Sequence, residues 1–118
     1  MNEGDEAVGA EQMTDAEATG LGAGWEDLKR RARANNVAKL PDIEVAVSAL
    51  LQGELGEPVR AQAAFQAHKI AGSAGTFGLP LASDLARRLE KLFAAPGPGP
   101  ERGEEARELV AHLRGELS

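Results

Sequence analysis

The sequence has no cysteine and no tyrosine, and it holds one tryptophan and three phenylalanines. The first absence excludes disulfides and thiolate metal sites and fits a reducing compartment. The second makes for a lean core. With aromatics at 3% of residues, the apolar content rests on alanine and leucine, which suits closely packed helices. No apolar run approaches the ~20 residues needed to span a bilayer. The N-terminus lacks a basic start followed by an apolar stretch, so no signal peptide is expected and the protein is expected to be soluble and cytoplasmic. Lys and Arg are missing from residues 1–20, which carry Glu3, Asp5, Glu6, Glu11, Asp15 and Glu17. The remaining 13 acidic and 13 basic residues balance, so the net charge of −6 belongs to this leading stretch. There is no Gly-Lys-Ser/Thr phosphate loop and hence no sign of an ATP site. The two histidines have no His-x-x-x-His spacing, so no metal site is expected.

What the chain does have is helical periodicity. Residues 1–22 are too poor in branched and aromatic side chains to offset the entropy of ordering, and they are expected to form a disordered acidic tail. The folded part is assigned to residues 23–118. Trp25, Leu28 and Ala32 follow at helical spacing, as a short helix or the start of a longer one, with a break expected near residues 35–41 where Pro41 disfavours helix at Leu40. Ile43, Val47, Leu50 and Leu51 form the next apolar stripe. Pro58 suits the first turn of a helix whose core face is expected to be Val59, Ala63, Ala67, Ile70, Ala74 and Phe77, with Gly78 as its C-terminal stop. Leu81, Leu85, Leu89 and Leu92 mark a further helix, and the short connection makes these two antiparallel neighbours. Ala95 and the alternating Pro and Gly of residues 96–100 form a loop. A last helix from about Glu101 turns Ala106, Leu109, Val110, Leu113 and Leu117 inward, with Glu104 and Glu105 favourably placed in its first turns. No segment alternates as a strand. The pattern predicts an all-α fold, an antiparallel up-down four-helix bundle with an extra N-terminal helical segment.

One histidine stands out. At about 100° per residue, His68 shares a helix face with Ala64, Phe65, Ala71, Gly72 and Gly75. Each glycine costs a helix interior about 1 kcal/mol relative to alanine, so two of them beside one imidazole need a reason. The simplest is room for another molecule to reach a ring nitrogen; close helix packing is the alternative. His112 lacks such a neighbourhood and reads as a surface histidine. Glu90 is expected to make an ion pair or to cap packing. Gln66, two residues before His68, falls at the edge of its face. Phe65 and Leu79 fit either an apolar contact with a partner or the rim of the core.

The run from His68 through Lys69, Ile70, Ala71, Gly72, Ser73, Ala74 and Gly75 to the closing Gly78, followed by Leu85-Ala86-Arg87-Arg88-Leu89-Glu90, resembles the histidine-containing phosphotransfer (HPt) domain of two-component phosphorelays. That family's signature is His-x-x-Lys-Gly, then small residues and a helix-ending glycine. The likeness is sharp over residues 59–92. It departs at Ala71, where the family has lysine, while a lysine stands at Lys69. The resemblance implies that His68 accepts a phosphoryl group from a receiver aspartate or a kinase and passes it to another receiver aspartate. The chain would then be a phosphorelay intermediate, not an enzyme with its own kinase site. Lys69 and Ser73 are candidates to hold the phosphoryl oxygens, and Gly72 and Gly75 to leave space for the partner. The implied partners are a response-regulator receiver domain or a hybrid histidine kinase, met by a monomer. No cofactor is implied on this chain; Mg²⁺ belongs to the receiver, which supplies most of the charge stabilisation.

Three other functions are open. Ala71 motivates a receiver-binding module of the same fold without transfer. A helical dimeriser is the second. A helix-turn-helix DNA binder, with Arg87, Arg88 and Lys91 on its second helix, is opposed by the acidic balance, since phosphate contacts dominate DNA affinity.

Overall fold

The computed structural model describes residues 15–118. The expected tail falls on residues 1–14, outside the described residues, and on the start of a helix: α1, Asp15–Val37, begins ahead of the Trp25 stripe and continues through Asn35 and Asn36. The bundle helices are α2, Leu40–Leu51; α3, Glu57–Thr76; α4, Pro80–Ala94; and α5, Gly103–Leu117, entered through a 3-10 turn, Pro100–Arg102. No strand occurs among the described residues. The chain divides into two units, residues 1–31 and residues 32–118, and each is described by itself.

In the first unit, α1 is a charged surface helix. Lys29 pairs with Glu26, and both Arg30 and Arg31 pair with Asp27. Such i,i+3 and i,i+4 pairs support a helix by a few tenths of a kcal/mol each.

In the second unit, proline stands in the first turn of α2, α3 and α4, where its missing N–H costs no helical bond. Pairs across the bundle fix the directions of the helices. Asp42 accepts hydrogen bonds from Gln62 and Gln66, while Val45, further along α2, shares a hollow with Pro58 and Val59 at the start of α3, so α2 and α3 are antiparallel. Arg114 grips Glu44 from the far end of α5, its Nη2 lying 2.9 Å from both carboxylate oxygens. Each of these helices packs on two others, α2 and α4 both lying against α3 and α5. The ring closes as the expected up-down bundle, its centre filled by Ile43, Leu50, Ile70, Leu89, Phe93 and Leu113.

The facing side of α3 is almost all alanine: Ala63, Ala67, Ala71 and Ala74 are buried around Ile70. Small side chains bring α3 and α4 close. Four residues assigned to the core stripes lie at helix ends and are only partly covered. Leu51 is 41%, Val59 36% and Leu81 44% exposed, and Phe77 is half-buried. Gly103 makes a close approach that only glycine permits, since a Cβ there would lie 2.6 Å from a Leu51 methyl carbon.

Candidate functional site

The geometry of the His68 face is set by the turn between α3 and α4. Gly78 adopts φ +78°, a left-handed conformation that costs other residues about 1 kcal/mol or more. The Leu79 N–H then bonds the Ala74 carbonyl at 2.8 Å, and the Gly78 N–H reaches the Gly75 carbonyl at 3.5 Å, which is the Schellman closure of a helix end. The helices fold back about Leu79, and positions equidistant from it face each other. Gly75 meets Ser83, and His68 meets Glu90.

The His68 side chain is 68% exposed, and its Nδ1 lies 2.9 Å from Glu90 Oε2. An ionised carboxylate only accepts hydrogen bonds, so Nδ1 carries the proton and the Nε2 lone pair is left for chemistry. Nε2 has no hydrogen bond among the described residues. Glu90, expected to make an ion pair or to cap packing, instead holds the neutral ring of His68 through this hydrogen bond. Sequence spacing along one helix misses this contact, because it crosses between helices; folding the chain in half about the Gly78-Leu79-Pro80 turn would have found it.

The two glycines of this face differ. A Cβ at Gly72 would meet no atom within 4 Å, whereas one at Gly75 would lie 3.4 Å from Ser83 Oγ. Gly72 is bare surface one turn beyond the imidazole. Gly75 borders the α3–α4 seam, where an alanine would sit in ordinary contact. Helix packing requires neither glycine.

The other candidates are not gathered around the ring. Lys69 Nζ stands 4.5 Å from the centre of the Phe65 ring, a cation–π contact on the flank turned away from α4. Ser73 lies about 140° round α3 from His68, and its hydroxyl accepts a hydrogen bond from the buried Asn36 amide at 3.1 Å. Gln66 reaches across to Asp42 on α2. The amides of Gln66, first, and Gln62 hold the Asp42 carboxyl below the usual aspartate range. Leu79 is partly buried against the core, so it belongs to the rim. Ala71, expected to share the open face, is 3% exposed. It is rotated into the seam with α4, where its carbonyl accepts the Ser83 hydroxyl at 2.8 Å.

The outer face of α4 is basic. Arg88 pairs with Asp84 at 3.1 Å; Arg87 and Lys91 have no ion pair among the described residues. His112 on α5 is 55% exposed and stands 3.8 Å from Glu116 of its own helix. No cluster of three or more metal-ligating side chains occurs among the described residues, and no helix there is long and apolar enough to cross a membrane.

The bundle thus presents an exposed histidine, held by a carboxylate of the neighbouring helix, beside a bare helix surface. The family model of the Hpt domain matches residues 38–118, the whole of α2 to α5, and the chain belongs to that family. No curated protein matches the chain, and no solved structure does. Hpt domains are phosphotransfer modules of phosphorelays that work with receiver domains or histidine kinases.

Proposed function

We propose that His68 is the phosphoryl acceptor and donor of this domain, taking the group from a receiver aspartyl phosphate or a kinase and passing it to another receiver aspartate. The observation that carries this is the exposed imidazole whose Nδ1 is held by Glu90 at 2.9 Å. In transfer from a receiver, the Nε2 lone pair forms the N–P bond while the P–O bond to the aspartate breaks. The electron pair of the broken bond leaves on the carboxylate oxygen. The ring becomes cationic, and Glu90 stabilises it through the Nδ1 proton, much as a buried carboxylate orients a catalytic imidazole. The aspartate phosphate and its Mg²⁺ belong to the receiver, which approaches over Gly72, where no side chain stands in its path.

Incubation with a ³²P-labelled receiver tests this. Acid-labile, base-stable label is expected on the parent and none on His68→Gln. Equal labelling of the two would overturn the assignment. A receiver that binds the parent while no phosphoryl group moves would make the domain a docking module instead, the reading that Ala71 at the family's lysine position motivates.

A further inference from the structure

A phosphoryl group on Nε2 would bring two negative charges to a face where α3 offers no free cation. The position three residues after the histidine is Ala71, and it is buried. Lys69, the only α3 cation next to His68, is turned onto Phe65. The opposing helix is better provided. The fold-back about Leu79 places Gly75 against Ser83 and His68 against Glu90, and by the same register residue 87 lies level with residue 71. Residue 87 is an exposed arginine. The carboxylates one turn away on either side of it are both committed, Asp84 to Arg88 and Glu90 to His68. Arg87 itself has no hydrogen bond or ion pair among the described residues. It lines a hollow with Gly75, Gly78 and Ser83, and a second with Glu90 and Lys91. Lys91, the other unpaired cation of α4, also lines a hollow with Leu92, Arg102 and Glu105 on the α5 side.

We propose that Arg87 is the phosphoryl-binding cation of this site, supplied from α4 in place of the lysine absent at position 71. This rests on His68 being the acceptor. The guanidinium fork matches two oxygens of one phosphoryl group. Leaving it without a carboxylate keeps it available, and the missing side chain at Gly72 leaves the space between Arg87 and the ring clear.

Phosphoramidate, a small donor that needs no receiver, tests the proposal on the full chain. Its P–N bond breaks with the electron pair leaving on nitrogen, as ammonia, while the Nε2–P bond forms. Loading is followed by ³¹P NMR. The parent should load and His68→Gln should not, which tests His68 alone. Arg87→Gln should load roughly tenfold more slowly, the scale expected for one charge-assisted contact to the transferring group. Its phosphohistidine resonance should titrate about half a pH unit or more above that of the parent, because a nearby cation favours the dianion. Arg87→Lys, which keeps the charge but loses the fork, should recover only part of the rate, and Lys91→Gln should match the parent. If Arg87→Gln equals the parent in both rate and titration while His68→Gln stays unlabelled, the assignment of Arg87 fails and that of His68 stands. Labelling of His68→Gln would overturn both.

Discussion

The two histidines of this bundle are both exposed, at 68% and 55% of their side chains, and each has a carboxylate within reach. Exposure and a nearby acid therefore do not single out a reactive ring. The difference lies in where the carboxylate comes from. Glu116 is four residues beyond His112 on the same helix, 3.8 Å away, so it occupies the surface a partner would need. At His68 the corresponding position is Gly72, with nothing near it, and the carboxylate comes from α4 at hydrogen-bond distance. Taking the acid from a neighbouring helix fixes the ring and keeps its approach clear at the same time.

The largest test of this contrast is its simplest. His68→Gln should abolish receiver-dependent labelling, and His112→Gln should leave it unchanged. Next, Glu90→Gln should slow transfer by roughly ten- to a hundredfold, because an amide can donate to Nδ1 as well as accept from it and no longer holds the ring in one tautomer or stabilises its cation. Glu116→Gln should leave the rate as it was. The Arg87→Gln loss belongs just below these, and it has no counterpart on α5. Gly72→Ala separates stability from function. It should raise stability by about 0.5–1 kcal/mol in thermal unfolding, from helix propensity alone, while slowing transfer from a receiver; a bulkier Gly72→Leu should slow it further. The smallest effect leaves both histidines aside. Asp42 titrates below its unfolded value, so its contribution to stability is complete above the ordinary aspartate range near pH 4. It is lost as the pH falls through the lower folded value. Urea midpoints of the parent and Asp42→Asn should accordingly differ at neutral pH and converge in acid.

The helices were legible because their signals are local. Pro58 and Pro80 mark starts, Gly78 marks a stop, and the stripes through Ile43, Ile70, Leu89 and Leu113 are the ones the bundle buries. Leu51, Val59 and Leu81 were misplaced because periodicity gives a face but not how far the neighbouring helix extends along it. Ala71 was misplaced by a rotation of about 60°, enough to carry it from the open face into the α3–α4 seam. His68 and its bare Gly72 could be read from one helix. Glu90, Ser83 and Arg87 could not, since their meaning depends on inter-helix register, and the link from Asn36 to Ser73 spans two helices as well.

The turn at Gly78 has a consequence for how this chemistry can be inherited or moved. His68, Gly72, Glu90 and Arg87 all sit on one helical hairpin, and α2 and α5 only back it. One residue inserted between Phe77 and Pro80 would spin the second arm by about 100° and slide it by about 1.5 Å, throwing the acid and the arginine out of line together. Conversely, redrawing α2 or α5 with other well-fitting apolar side chains leaves the hairpin's alignment alone. If His68 is the acceptor, the unit that carries it is a transplantable cassette whose one unalterable dimension is the length of its hinge.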